Sequence, residues 1–548
     1  MEKNTILAFV LALAVLILWS ILFAPKPAKK EEPQTKEESV KSQPVQAASP
    51  QPAPPVQNLE GQAESTVPKA EEKEVTVETP LYKAVFSTTG ASIKSLLLKK
   101  YHTTTDPGSP QVEIFQGQNP ELSILFDPAG RKDANPILYQ VDESSLKLEA
   151  GAPPRELVFR ATTPDGLQLQ QAFRIDPDHY AIDQRFTVSN PTDKPVEGTL
   201  KAQITNLPPK ASASYYSSIG ASLLLNNKYE EIASKDLKSE KSLSGQIAWI
   251  SYHADYFMVA FVPEVEEQAN FMARMLPSGS LEETWSAPVK PIPAANQFSA
   301  RSILYLGPRD LSILKAVGKK LDLAIDFGWF DIIAKPLLYV LKFFDRYTGN
   351  YGVAIILLTV LIKILFWPLT HKSYKSMKEM QKIQPLMAKI REKYKDNREM
   401  MNKEMMSLYK TYKVNPMGGC LPMVIQIPVF FALYRILGSS IELRHAPFIL
   451  WINDLSAPDR LFHLPFHIPL MTPPSGIPVL TLLMGASMFL QQKMTPTPGD
   501  PTQAKIMLLM PVIFTFMFIN FPSGLVLYWL VNNVLSIGQQ YRIIKRAA

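Results

Sequence analysis

A single cysteine, Cys420, stands in 548 residues. It excludes an intrachain disulfide, so any folded domain here rests on core packing alone. The seven histidines show no metal-ligand spacing. His463 and His467 are four apart, but prolines interrupt the helix that such a pair would need. No GxxxxGK(S/T) sequence occurs, and the "VGKK" at Val317 lacks the upstream glycine, so nucleotide hydrolysis has no motif to rest on. No nucleophile sits in a catalytic context. The "NPT" at Asn190 is not a glycosylation sequon, because proline holds its middle position. Neither an enzyme, nor a metal, nor a cofactor is expected.

What is present divides into two regimes. The overall 46% hydrophobic and 20% charged residues average a polar, proline-rich stretch up to about Arg346 with long apolar runs after Tyr347. At the start, Lys3 precedes an apolar run from Ile6 to Phe23. That run is long for a signal-peptide core of about 7 to 15 residues and no small-x-small cleavage site precedes Ala24, so residues 1–24 read better as an uncleaved anchor. Residues 25–74 are rich in Pro, Lys, Glu, Gln, Ala and Ser, a composition that cannot offset the entropy of folding, and read as a disordered tether.

Residues 75–310 carry short alternating stretches, "VTVETPLYKAVF", "LQLQQAFRI" and "YAIDQRFTV", divided by turns such as Asp165-Gly166 and Asn190-Pro191. Period-two alternation with this punctuation predicts an antiparallel all-β sandwich, long enough to bury its own core. From Leu311 to Arg346, within a connecting region 311–349, the spacing turns helical. Phe327, Trp329 and Phe330 with "PLLYVLKFFDRY" suit an amphipathic helix lying on a membrane surface.

Five apolar candidates follow within residues 350–541: Tyr351 to Thr370, Gly418 to Leu437, Ile477 to Gln492, Ile506 to Phe521 and Leu525 to Tyr541. "FPSG", from Phe521 to Gly524, leaves room only for a hairpin between the last two. Pro428 and Pro511 lie inside helices, which membranes tolerate where neighbours or water satisfy the freed carbonyls. His371 to Asn415 holds twelve Lys/Arg against five Asp/Glu, and the tail 542–548 is also basic, which puts both in the cytoplasm. Six spans result, with the β domain outside. A cysteine-free outer domain suits a bacterial periplasm.

Lys363 sits inside the first core span, yet about a dozen apolar residues at roughly −0.3 to −0.6 kcal/mol each outweigh one central lysine at roughly +2.5 to +3.5. It lies roughly 10 Å from the Thr370 end, near enough to snorkel partly toward that interface. Intramembrane charges more often face a bundle interior or a wet cavity, and Thr359 at i−4 shares its face. Gln426, Gln491, Gln492, Thr515, Asn520, Asn532 and Asn533 are further polar residues in spans, for which interhelical hydrogen bonding is the simpler account. In the basic segment 371–416, Ile383, Met387, Ile390 and Tyr394 recur at helical spacing, as do Met401, Met405, Leu408 and Tyr412 after "KDNRE". The pattern predicts an antiparallel hairpin whose methionines either bury against each other or, at Met387, Ile390, Met401 and Met405, form a contact face for apolar partners. The surrounding lysines favour anionic lipids or ribosomal RNA. Cys420 reads as a small buried residue.

This order of elements, with "NPMGGCLPMVIQIPVFFALY" (Asn415 to Tyr434), "ELRHAPFILWINDLS" (Glu442 to Ser456) and "FPSGLVLYW" (Phe521 to Trp529), resembles the YidC/Oxa/Alb family of membrane-protein insertases in its Gram-negative form. The resemblance covers essentially the whole chain. It implies a polytopic α-helical membrane protein of the inner membrane, with a five-helix core around a hydrophilic groove, a cytoplasmic helical hairpin and a periplasmic β-supersandwich. It implies insertion and folding of nascent inner-membrane proteins, alone or with the Sec translocon, and a ribosome met through the basic hairpin and tail. By position, the family's groove cation falls on Lys363, where bacterial relatives usually carry arginine, and Thr359, Gln426, Tyr528 and Trp529 fall near the groove. Because lysine lacks arginine's bidentate fork, charge alone is the favoured property. Rival readings are a secondary transporter, which predicts an internal repeat that is absent from the spans, a sugar-processing β domain, for which no acid/base pair stands out, and a non-catalytic scaffold.

Overall fold

The computed structural model describes residues 72–117, 119, 121–129, 137–209, 219–264, 268–412, 414, 421–495 and 501–545. The anchor, nearly all of the tether, Cys420 with the Asn415 to Gly419 motif, and the last three residues of the basic tail lie outside them.

The alternating stretches fold into strands because every second side chain finds a core. In "AIDQRFTVSN" the strand β10 (Ala181–Asn190) buries Ile182, Phe186 and Val188 while Asp183 and Arg185 stay in solvent. Eighteen strands run from Glu74 to Pro308 in two layers. In one layer, β1 (Glu74–Glu78) pairs β2 (Tyr82–Ser87), then come β3 (Ser92–His102), β5 (Glu121–Pro128), β11 (Val196–Asn206), β17 (Leu281–Ile292) and β16 (Gln268–Met275). In the other, β8 (Arg155–Thr162) and β9 (Gln168–Ile175) lead to β10, β18 (Asn296–Pro308) and β15 (Phe257–Pro263). The long β14 (Lys241–Ala254) belongs to both. Its first half pairs β16 and its second half pairs β15, so one strand fastens the layers together. Between the layers Phe86, Phe159 and Phe173 pack with ring centroids 5.1 to 6.1 Å apart, each fully buried and worth roughly 1.5–3 kcal/mol of transfer free energy.

The connecting region is not one helix. It breaks into α1 (Leu311–Val317), two single turns of 3-10 helix and α2 (Asp331–Thr348). Gly318 and Gly328 take φ of 85° and 66°, a region that costs other residues, and Lys319 and Lys320 also lie at positive φ, so helical continuation is lost there. Asp310 starts α1 by accepting from the backbone N–H groups of Ser312 (2.7 Å) and Ile313 (3.0 Å). Helix α2 is amphipathic. Ala334, Leu338 and Leu341 are buried, while Ile332, Tyr339, Phe343 and Tyr347 are exposed beside Trp329.

The first core span also differs from expectation. Helix α3 (Tyr351–Leu365) ends at Leu365, and α4 (Trp367–Lys393) begins after a bend of 66°. Pro368 explains the break, since it has no N–H for the Ile364 carbonyl and biases Trp367 away from helical backbone. The apolar turn from Trp367 to Thr370 therefore belongs to the second helix. After α5 (Arg398–Thr411) come α6 (Leu421–Ser439), α7 (Val479–Met494), α8 (Pro501–Phe518) and α9 (Ser523–Lys545). Among the described residues no single helix is long and apolar enough to cross a membrane alone, although the bent pair α3 and α4 passes on length and composition together.

Helices α4 and α5 form the hairpin, closed by a seam of Ile383, Met387, Met405 and Val414 with Ile390, Met401 and Leu408 packed against it. Met387 and Met405 are thus buried in the seam that closes the hairpin, and Ile390 and Met401 are partly buried against it. Lys382, Lys389, Lys393, Lys403 and Lys410 are exposed around it.

Candidate functional site

Helices α3, α6, α7 and α9 gather apolar side chains inward, with Leu358, Ala432, Leu433, Met484 and Val526 all buried. Into this apolar setting α3 brings Lys363, 8% exposed. Its ammonium donates to Ser536 Oγ on α9 at 2.5 Å, and Ser536 in turn donates to the Asn532 carbonyl at 2.7 Å. Among the described residues Ser536 Oγ is its hydrogen-bond acceptor and no carboxylate stands within ion-pair distance. A buried charge without a counter-ion is costly and is kept where it is used.

Lys363 lines a small cleft of about 20 Å³, room for about one water, together with Ile362, Phe366, Thr370, Gln426 and Asn532. Gln426 faces the same cleft and donates from Nε2 to the hydroxyl of fully buried Tyr528 at 2.9 Å. Thr359 does not line it. Its hydroxyl bonds back to the Ile355 carbonyl at 2.6 Å, a common use of a helical threonine. Trp529 stands apart in an aromatic cluster, 5.1 Å from Phe430 and 5.2 Å from Phe518 between ring centroids.

Sequence reasoning missed Ser536, Thr370 and Gln539. Gln539 Nε2 donates to Thr370 Oγ1 at 3.0 Å, one turn below the lysine, and ties α4 to α9. A signal was present: Asn532, Ser536, Gln539 and Gln540 recur at i, i+4, i+7 and i+8 in an otherwise apolar helix, which is one polar face. Asn533 points elsewhere, to Ser487 Oγ at 3.0 Å.

The outward faces are apolar. Leu361, Ile364 and Leu365 on α3, Leu482, Leu483 and Leu490 on α7, and Leu509, Ile513, Phe516 and Met517 on α8 are exposed. Contiguous apolar surface of this kind is rare on soluble monomers and fits lipid.

At the opposite end the β domain and the segment after α6 are cross-linked. Lys342 of α2 bridges Glu442 (2.9 Å) and Asp310 (3.2 Å), and Arg444 donates to the His102 carbonyl at 2.6 Å while covering the rings of Tyr256 and Phe257. Burial pushes the Glu442 carboxyl above the usual range, against the pull of Lys342. Burial would lower the Lys342 ammonium, but Glu442 and Asp310 outweigh it and raise it.

A bundle with apolar outward faces and a buried lysine at a small polar cleft, joined to a two-layer β domain, fits the class of membrane proteins with a large β domain outside the bilayer. Two family models match the chain, the YidC periplasmic domain over residues 74–340 and the 60Kd inner membrane protein over residues 343–548. The chain is 45% identical to the membrane protein insertase YidC of Pelobacter propionicus, covering 100% of this chain and 99% of that one. It is 43% identical to that of Syntrophus aciditrophicus (100% of each) and 43% to that of Geobacter metallireducens (100% and 99%). The chain belongs to the YidC family of membrane protein insertases, inner-membrane proteins with a periplasmic domain. A crystal structure of active YidC insertase aligns at 19% identity with a TM-score of 0.38, over 86% of this chain and 93% of that one. A galactose mutarotase related enzyme from Lactobacillus acidophilus aligns at 12% and 0.30, over 42% and 97%. Neither score bears on function.

Proposed function

We propose that this chain inserts and folds nascent inner-membrane proteins through the cleft around Lys363, without nucleotide or cofactor, alone or beside the Sec translocon. The observation that carries the reading is the buried ammonium with a neutral acceptor and, among the described residues, no counter-ion, set among helices whose outer faces suit lipid. A client's short acidic tail is drawn into the cleft as the helices part, which shortens the apolar distance left to cross. Its apolar helix then moves out along exposed side chains such as Ile513 and Phe516, driven by roughly 25 cal/mol per Å² of apolar surface removed from water. Gln426 lines the route and Tyr528 braces it through their hydrogen bond, while Thr359 and Trp529 lie outside the cleft.

In this reading six spans cross the membrane: the anchor in 1–24, the bent α3 and α4, and α6 to α9. Both termini and the hairpin 371–416 lie in the cytoplasm, α2 rests on the outer surface and residues 75–310 occupy the periplasm. The outward lysines of the hairpin and the tail 542–548 meet ribosomal RNA and anionic phospholipid head groups.

The test is reconstitution. Purified chain in liposomes should bring a short single-span client to protease protection with nucleotide removed. Equal protection in empty liposomes, or an absolute need for nucleotide, would overturn the reading.

A further inference from the structure

We infer that Ser536 is the positioning residue for Lys363: it holds the ammonium at the cleft in the resting state and gives it up to a client carboxylate. The inference rests on the proposed function above and deepens it.

Three observations lead there. First, Ser536 Oγ is the acceptor of Lys363 Nζ, at 2.5 Å, and both side chains are buried. Second, the serine proton is already committed, because Ser536 donates to the Asn532 carbonyl at 2.7 Å. The oxygen is therefore left as an acceptor for the ammonium, and the Tyr374 side chain of α4 stands within hydrogen-bond reach of the same hydroxyl. Third, the distance is held by a brace one turn below, where Gln539 of the same helix bonds Thr370 of α4 at 3.0 Å. The lysine is thereby kept from swinging toward the interface, which its four-carbon stem would otherwise allow.

The chemistry of the acceptor decides its role. A carboxylate at this place would neutralise Lys363 and remove its attraction for an acidic tail. An apolar residue would leave the charge buried with no partner, and the side chain would leave the cleft to find one. A hydroxyl does neither. Its bond to the ammonium has charge on the donor side only and is weaker than the ion pair a carboxylate forms, so an arriving acid displaces it and departure restores it. The cleft where that exchange occurs is lined by Gln426 and Asn532, whose amides stabilise an anion, and among the described residues no acid lines it.

The experiment uses the full chain in liposomes and two clients that differ only in the tail, one acidic and one with those acids replaced by Ser and Asn. Ser536→Ala should slow the acidic-tailed client about threefold to tenfold, the change expected of one net hydrogen bond, and leave the neutral-tailed client unchanged. Ser536→Thr should restore the rate, and Ser536→Asp should erase the difference between the two tails. A merely structural serine would move both clients together. If Ser536→Ala slows both equally or neither, while Lys363→Met still slows the acidic-tailed client selectively, the positioning role is overturned and the proposed function stands. If Lys363→Met slows both clients by the same factor or neither, the proposed function fails and the inference falls with it.

Discussion

Replacing Lys363 by methionine should separate stability from activity. The ammonium is 8% exposed with one neutral acceptor and no counter-ion among the described residues, so the folded chain carries a partly desolvated charge. Methionine has nearly the same length and no charge. Removing a buried charge that lacks a counter-ion in favour of an apolar side chain of like volume is neutral or stabilising, by up to about 1–4 kcal/mol in comparable cases, less about 1 kcal/mol for the bond that the buried Ser536 hydroxyl loses. The thermal midpoint in detergent should hold or rise by a few degrees. Activity should fall. A carboxylate 4 Å from the ammonium gains about 4 kcal/mol at an effective dielectric near 20, and desolvating it takes back about half of that, leaving roughly 2 kcal/mol. Insertion of an acidic-tailed client, followed by protease protection, should then slow about thirtyfold, while Lys363→Arg keeps most of the rate. A midpoint several degrees lower with unchanged insertion would refute the reasoning, because it would make the lysine a structural element.

Three further outcomes test the surroundings. A Cβ built on Gly352 comes 2.0 Å from the Phe448 ring, so Gly352→Ala should force that ring out and cost about 1–3 kcal/mol, read as a lower thermal midpoint. Met405→Ala opens the hairpin seam and should cost about 2 kcal/mol locally, seen as faster amide exchange in α5 with the β domain unaffected. The raised Glu442 carboxyl binds a proton more readily folded than unfolded, so acidification through the window between the ordinary value of 4.5 and its folded value should stabilise the contact of β domain and core. The raised Lys342 contributes stability below its ordinary 10.5 that is lost as pH rises through its folded value. Glu442→Gln should flatten the acid part of a melting-versus-pH curve and leave Lys342 with Asp310 alone.

Much of this architecture was legible because it rests on local pattern. Alternation in "YAIDQRFTV" reports a half-buried strand whatever its partners, and Lys363 announces itself by standing in an apolar run. Which strands meet is another matter. Lys201 of β11 pairs Leu125 of β5, 76 positions earlier in the chain, and nothing near either residue carries that choice. The break at Phe366 was readable from Trp367-Pro368, but the apolar run masked it, since hydropathy counts residues and not carbonyls. Ser536 and Gln539 stood on one face of α9, while serine and glutamine near a helix end are ordinary enough that only the lysine opposite marks them. Thr359 shows the converse. Its position at i−4 put it on the face of Lys363, yet a free carbonyl on its own helix took its hydroxyl.

The most direct test places a photo-crosslinking amino acid at Phe366, which lines the cleft and leaves Lys363 in place. Ribosomes stalled on a short single-span client would then be presented to the full chain in membranes. Crosslinks to the client's tail that weaken when its acidic residues are removed are the expected result. Crosslinks confined to lipid or to neighbouring helices, with the client still reaching the membrane, would contradict the account and move insertion away from the Lys363 cleft.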